Sequence, residues 1–158
     1  LERARANYER ALLIRVAALG PEHESVACSL NNLARLQQAL GLVGFARPNF
    51  ERALAVWERC AGPASAPVAA ALNNLARTYE DEGAFARAEP LMRRALAIRE
   101  AVFGPEHPET APAVRDLACL VYRQRRFADA VPLLERAVAM GQKALRSPLD
   151  IAKHRAGL

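Results

Sequence analysis

The sequence predicts an all-α chain of repeated antiparallel helix pairs, and three observations carry that reading. Features recur every 42 residues: Gly20–Pro21, Gly62–Pro63 and Gly104–Pro105, and an Arg-Ala-Leu or Arg-Ala-Val string at Arg10, Arg52, Arg94 and Arg136. Pro48, Pro90 and Pro132 keep the same interval, as do Leu33, Leu75 and Leu117. Independent features on one period mark a repeat architecture. Apolar residues also recur at helical spacing, with Leu72, Leu75, Ala76 and Tyr79 on one stripe. No stretch of useful length alternates apolar with polar residues, as a half-buried strand would.

Taken in order, residues 1–20 read as the second helix of a truncated unit, beginning at or before Leu1. Units at 21–62, 63–104 and 105–146 follow, each a first helix and a second helix. First helices are expected over Glu24–Leu40, Ala66–Glu82 and Pro108–Arg123, and second helices over Phe45–Ala61, Phe85–Phe103 and Phe127–Leu145. Gly41 and Gly83 supply the left-handed residue that stops many helices, and Gly62 and Gly104, each followed by proline, close the second helices. Arg125 and Arg146 stand where the period asks for glycine, so the last unit is expected to end less regularly. Residues 147–158 read as the start of a further helix or a cap, and an opening residue other than methionine reads as a fragment of a longer chain. Pro48, Pro90 and Pro132 fall one to two turns into the second helices, where the missing N–H bends the helix.

Alanine supplies much of the apolar share while aromatics are 6% of residues, so the core is expected to form by close approach of helices. Ala34, Ala76 and Ala118 on first helices, and Ala46, Ala88, Ala130, Ala53, Ala95 and Ala137 on second helices, mark the crossings, with Ala4 and Ala11 in register. The net charge of +5 is carried by arginine, with both signs interspersed, which fits a solvated surface better than a polyanion site. Three cysteines, Cys28, Cys60 and Cys119, show no metal-like spacing and read as reduced thiols in a cytoplasmic protein. No apolar run approaches the ~20 residues of a membrane span.

This pattern resembles the tetratricopeptide repeat, and Leu72, Leu75, Ala76, Tyr79, Ala88, Met92 and Ala95 match that family's spacing of large and small residues. The 42-residue unit, its GPEHP linker and its LNNLA segment are similar to the kinesin light chain type. Gln37 and Val121 depart from it at the place of Tyr79. The resemblance implies a right-handed α-solenoid and a scaffold or regulatory parent protein whose flanking repeats or domains are further partners, while the lack of any nucleophile, base and orienting group together argues against an enzyme.

The LNNLAR stretch, at Leu30–Arg35 and again at Leu72–Arg77, points to a site. Asparagine competes with the helix backbone for hydrogen bonds, so paired asparagines in mid-helix need another purpose. At about 100° per residue, Leu30, Leu33 and Ala34 face the second helix, and Arg35 and Cys28 point away with Asn31 and Asn32 beside them. Ala70, Asn73, Asn74, Arg77 and Asp81 repeat that strip, and Pro112, Arg115, Asp116, Cys119 and Arg123 repeat it again. Stacked first helices would place these strips on a concave groove. The resemblance implies that Asn32 and Asn74 hold the backbone of an extended peptide. Arg35, Arg77, Arg115 and Arg123 would take acidic side chains, Asp81 and Asp116 would limit the positive strip, and Asn31 and Asn73 either join them or bridge adjacent repeats.

His23, Ser65 and His107 each precede a first helix, so they are read as helix-start residues rather than ligands or catalysts, with Pro108 suited to a first helical position. No Walker loop, GxSxG, HExxH or CxxC occurs, and no cofactor or metal is expected. The leading expectation is a module binding a protein or peptide. A spacer or oligomerisation arm is the alternative. A nucleic-acid-binding helical repeat is a minor one, weakened by Asp81 and Asp116 and by the lack of stacking aromatics.

Overall fold

The computed structural model describes residues 2–155, with side chains described from Arg3 to Lys143. Expectations for Leu1 and for residues 156–158 of the tail lie outside it. Among the described residues there are seven helices and no strand: α1 (Glu2–Leu19), α2 (Glu24–Ala39), α3 (Val43–Cys60), α4 (Ala66–Asp81), α5 (Phe85–Phe103), α6 (Ala111–Arg123) and α7 (Phe127–Arg155). They fall into two compact units, Leu1–Ile98 and Arg99–Leu158, divided within α5.

In the first unit α1 packs on α2, α2 on α3 and α3 on α4. Val26, Leu30, Val56, Trp57, Val68, Leu72 and Ile98 form one buried cluster with alanines between them. The crossing alanines Ala34, Ala46, Ala53, Ala76, Ala88 and Ala95 are fully buried. Tyr79 is 5% exposed, and its hydroxyl donates to Glu51 Oε1 at 3.2 Å and accepts from Arg87 Nη2 at 2.9 Å. The Arg87 guanidinium also lies 4.2 Å from the Tyr79 ring centroid, so one side chain ties α3, α4 and α5. Gln37, at the equivalent place, is buried with its Oε1 accepting from Asn49 Nδ2 at 2.8 Å. Val121, the third, is apolar and fully buried. Each departure from tyrosine is therefore satisfied locally.

In the second unit α6 packs on α7, and Ala118 and Ala130 are fully buried. Ala137 differs: it is half-buried in an open apolar groove of about 580 Å³ with Leu134 and Val138.

At two of its four places the recurrent arginine of the Arg-Ala-Leu or Arg-Ala-Val string has a structural role that sequence reading missed. Arg94 Nη2 donates to Pro63 O at 3.2 Å and pairs with Glu58 at 2.7 Å. One period on, Arg136 Nη2 donates to Pro105 O at 2.7 Å and pairs with Glu100 at 2.7 Å. Each arginine thus pins the Gly-Pro linker to the preceding second helix.

Three boundaries differ from expectation by more than one residue. Helix α3 starts at Val43 rather than Phe45. Helix α6 starts at Ala111 rather than Pro108, with Thr110 as its N-cap residue. Pro112 has no N–H to offer the Pro108 carbonyl, which instead accepts from Ala111 N at 3.2 Å, leaving a separate turn before the helix. Thr110 Oγ1 donates to Gly104 O at 2.8 Å and holds that turn. Finally, α7 runs without a break through Arg146 to Arg155, so no helix boundary falls between residues 146 and 147. With arginine in place of glycine there, nothing favours the left-handed conformation that ends the other second helices, where Gly62 has φ +85° and Gly104 φ +104°.

The three first-to-second-helix turns close alike, with Leu42 N on Gln37 O (2.8 Å), Ala84 N on Tyr79 O (2.8 Å) and Arg126 N on Val121 O (3.2 Å). Gly41 and Gly83 sit at φ +73°, and Arg125 takes the same place at φ +61°. Arg125→Gly should therefore stabilise the chain by about 1 kcal/mol, read as a higher chemical denaturation midpoint. Ala76→Leu and Ala88→Leu should each cost about 1–3 kcal/mol, because an added isobutyl group has no room at a fully buried crossing. Unchanged midpoints in both leucine variants would contradict the packing.

Candidate functional site

The strips read from sequence are where the helix geometry puts them. On α2, Leu30, Leu33 and Ala34 are buried while Cys28, Asn32 and Arg35 are exposed and Asn31 is half-buried. On α4, Leu72, Leu75 and Ala76 are buried, Ala70, Asn73 and Asn74 are half-buried, and Arg77 and Asp81 are exposed. On α6, Arg115, Cys119 and Arg123 are exposed and Asp116 is half-buried.

In the first unit α2 and α4 lie in contact, and two polar rungs join them. Asn74 Nδ2 donates to Asn31 Oδ1 at 2.9 Å, and Gln38 Nε2 donates to Asp81 Oδ2 at 2.7 Å. The rungs stand seven residues apart on both helices, which is about two turns. A groove of about 350 Å³ lies among Arg35, Gln38, Ala39, Asn74, Arg77 and Asp81. A second, of about 290 Å³, is lined by Tyr8 of α1 with Asn32, Arg35 and Leu36. Arg35 lines both. Sequence reasoning named Asn32, Arg35, Asn74, Arg77 and Asp81 but missed Tyr8 and Gln38, which lie outside the duplicated LNNLAR stretch.

The chemistry is uneven along these strips. Asn74 spends one N–H on Asn31, so it bridges the repeats, keeping its second N–H and its oxygen for other partners. Among the described residues, Asn32, Arg35 and Arg77 have no side-chain partner. Other arginines of the same unit are committed: Arg47 donates to both carboxylate oxygens of Glu82 at 3.1 Å, and Arg59 pairs with Glu22. In the second unit Arg115 pairs with Asp116 at 3.2 Å, and Asp116 and Arg123 also have partners.

His23, Ser65 and His107 lie at or just ahead of the first helices. His23 is the N-cap of α2, its Nδ1 accepting from Ser25 N at 3.1 Å. His107 lies one turn ahead of α6, accepts from Glu109 N at 3.1 Å and stacks on Phe103 with centroids 5.6 Å apart. Ser65 caps α4 by position alone, without a side-chain bond. Partial desolvation of the otherwise exposed Cys28 first, and then the Glu24 charge, raise its thiol above the usual value, partly opposed by Arg15. A raised thiol carries less of the reactive thiolate at neutral pH. Among the described residues no group of three or more His, Cys, Asp or Glu is placed to hold a metal ion, and no helix is long and apolar enough to cross a membrane.

The sequence profile of the tetratricopeptide repeat matches residues 1–59, 39–101 and 67–143. The chain belongs to the tetratricopeptide repeat family. Its structure is similar to that of BtubC (BKLC) from P. vanneervenii, with a TM-score of 0.83 and 28% identity over 92% of this chain and 57% of that one. It is also similar to a Podosopora anserina protein described as a kinesin light chain with nearly identical TPR-like repeats, with a TM-score of 0.75 and 28% identity over 92% of this chain and 69% of that one. The chain spans little more than half of BtubC. No curated protein matches it. The chain is thus similar to kinesin light chain-like repeat structures, and tetratricopeptide repeats generally mediate protein–protein interaction.

The two rungs generate a stability prediction. Asn31→Ala and Gln38→Ala should each destabilise the first unit by about 0.5–1 kcal/mol, since each removes a partly solvated hydrogen bond between repeats. A double variant no less stable than the wild type in urea denaturation would show that the rungs do not join α2 to α4.

Proposed function

We propose that this tetratricopeptide repeat chain is a protein-interaction module that binds an extended, acidic peptide segment on the α2–α4 face. The observation that carries the reading is the pair of guanidinium groups of Arg35 and Arg77, exposed beside one groove and uncommitted to any carboxylate among the described residues. A planar guanidinium takes a carboxylate through two parallel hydrogen bonds. Asn32 and the remaining N–H and oxygen of Asn74 have the donors and acceptors to hold a peptide group. Asp81, held by Gln38, limits the positive strip and disfavours a general polyanion. The chain acts here as a binding scaffold, without catalysis, cofactor or metal.

A spacer arm is the second reading, and the Asn31–Asn74 bond favours it, because it gives the paired asparagines a purely structural duty. Calorimetric titration of a peptide carrying two glutamates beside an apolar residue separates the two. Asn32→Ala should weaken binding without lowering stability, because Asn32 has no partner to lose. Arg77→Glu should weaken it further, by about 1–3 kcal/mol, through loss of a charge-assisted contact and added repulsion. Wild-type affinity in both variants would leave the spacer reading.

A further inference from the structure

The three turns that join first to second helices share a backbone and diverge in surface. The α2–α3 turn, residues 38–43, carries no charge. The α4–α5 turn carries Glu80, Asp81 and Glu82, and the α6–α7 turn carries Arg123, Arg125 and Arg126. The basic turn is flanked by Tyr122 and Phe127, which are 56% and 52% exposed and meet edge to face with centroids 5.1 Å apart. Arg126 is committed, with Nε on Asp129 at 3.0 Å and Nη1 on Gln124 at 2.9 Å, so it closes the turn. Arg125 is exposed at the apex, and no hydrogen bond or ion pair engages its side chain among the described residues. It holds φ +61° where the two other turns use glycine. A side chain kept at a backbone angle that favours glycine points to a purpose other than folding.

We propose that the α6–α7 turn is a second docking surface, separate from the α2–α4 face, which takes an acidic segment of a protein partner. Arg125 supplies a charge free to meet a carboxylate, and the exposed parts of Tyr122 and Phe127 supply an apolar anchor. Tyrosine and arginine are the residue types that dominate protein interfaces. Charge complementarity selects an acidic occupant, since Asp129, the acidic residue near the turn, is already neutralised by Arg126. The edge-to-face contact leaves no parallel platform for successive bases, which favours a peptide over single-stranded nucleic acid.

The test uses the whole chain carrying Arg77→Glu, which weakens the α2–α4 face for acidic ligands. The probe is a fluorescein-labelled dodecapeptide of alternating glutamate and glycine with one central leucine, followed by anisotropy at low and high salt. The peptide should bind in a salt-dependent manner, and Arg125→Gly should weaken it by about fivefold, in the range of one charge-assisted contact. Because Arg125→Gly also relieves the backbone, its denaturation midpoint should rise, so weaker binding cannot come from unfolding. Phe127→Ser should weaken binding independently of salt. Absence of binding in the Arg77→Glu background overturns the proposal, and so does unchanged affinity in Arg125→Gly. Tighter binding of a single-stranded oligouridine that is lost in the same variant also overturns it, in favour of a nucleic-acid surface.

Discussion

Close approach of helices at alanine is the constraint on which the rest depends. With few aromatics to fill space, paired helices bury enough surface only if their axes come near, and a methyl group is what the crossing admits. Ala34, Ala46, Ala53, Ala76, Ala88, Ala95, Ala118 and Ala130 are all fully buried. Once that spacing is set, the large residues between them, such as Phe50, Leu72 and Met92, fall into fixed places in the core. The strips opposite them are then forced outward, which is how Arg35 and Arg77 reach the surface without any loop to carry them.

Polar side chains do a second job, which is to specify how one pair meets the next. Apolar packing alone tolerates sliding, whereas a hydrogen bond between named atoms does not. The Asn31–Asn74 and Gln38–Asp81 rungs set the register of α2 against α4, and Arg94 and Arg136 set each linker against the preceding second helix. Most of these groups are partly solvated, so each contributes modestly to stability. Their larger effect is on which arrangement is chosen. It follows that the asparagine pair is divided in duty: Asn31 and one arm of Asn74 serve the stack, while Asn32 stays available to a ligand.

Repeats free a protein to vary what the backbone does not need. The three equivalent turns keep one hydrogen-bond pattern and carry neutral, acidic and basic surfaces. Arg125 shows the limit of that freedom, since its place demands a left-handed residue whatever the side chain. The last unit diverges further: with Arg146 in the place of a closing glycine, α7 continues to Arg155.

The sequence by itself determined the helix pairs, their period and the outward strips. A 42-residue repeat with helical spacing leaves one way to bury the apolar stripe, and Asn32, Arg35, Asn74 and Arg77 follow from rotation about the helix axis. It determined two of the turns as well, because a left-handed residue is marked locally by Gly41 and Gly83, whereas the third closes alike at Arg125 with no such mark. Tertiary structure alone decided which polar atoms are spent. That Asn74 reaches Asn31, that Gln38 holds Asp81, and that Tyr8 joins the groove beside Asn32 depend on the offset between neighbouring helices. Helical periodicity orients a side chain about its own axis and says nothing of how far the next helix has slid along it. The start of α6 was hidden for a related reason. Pro108 reads locally as a good first residue, and only the missing N–H of Pro112 one turn later, with Thr110 reaching back to Gly104, moves the helix start to Ala111.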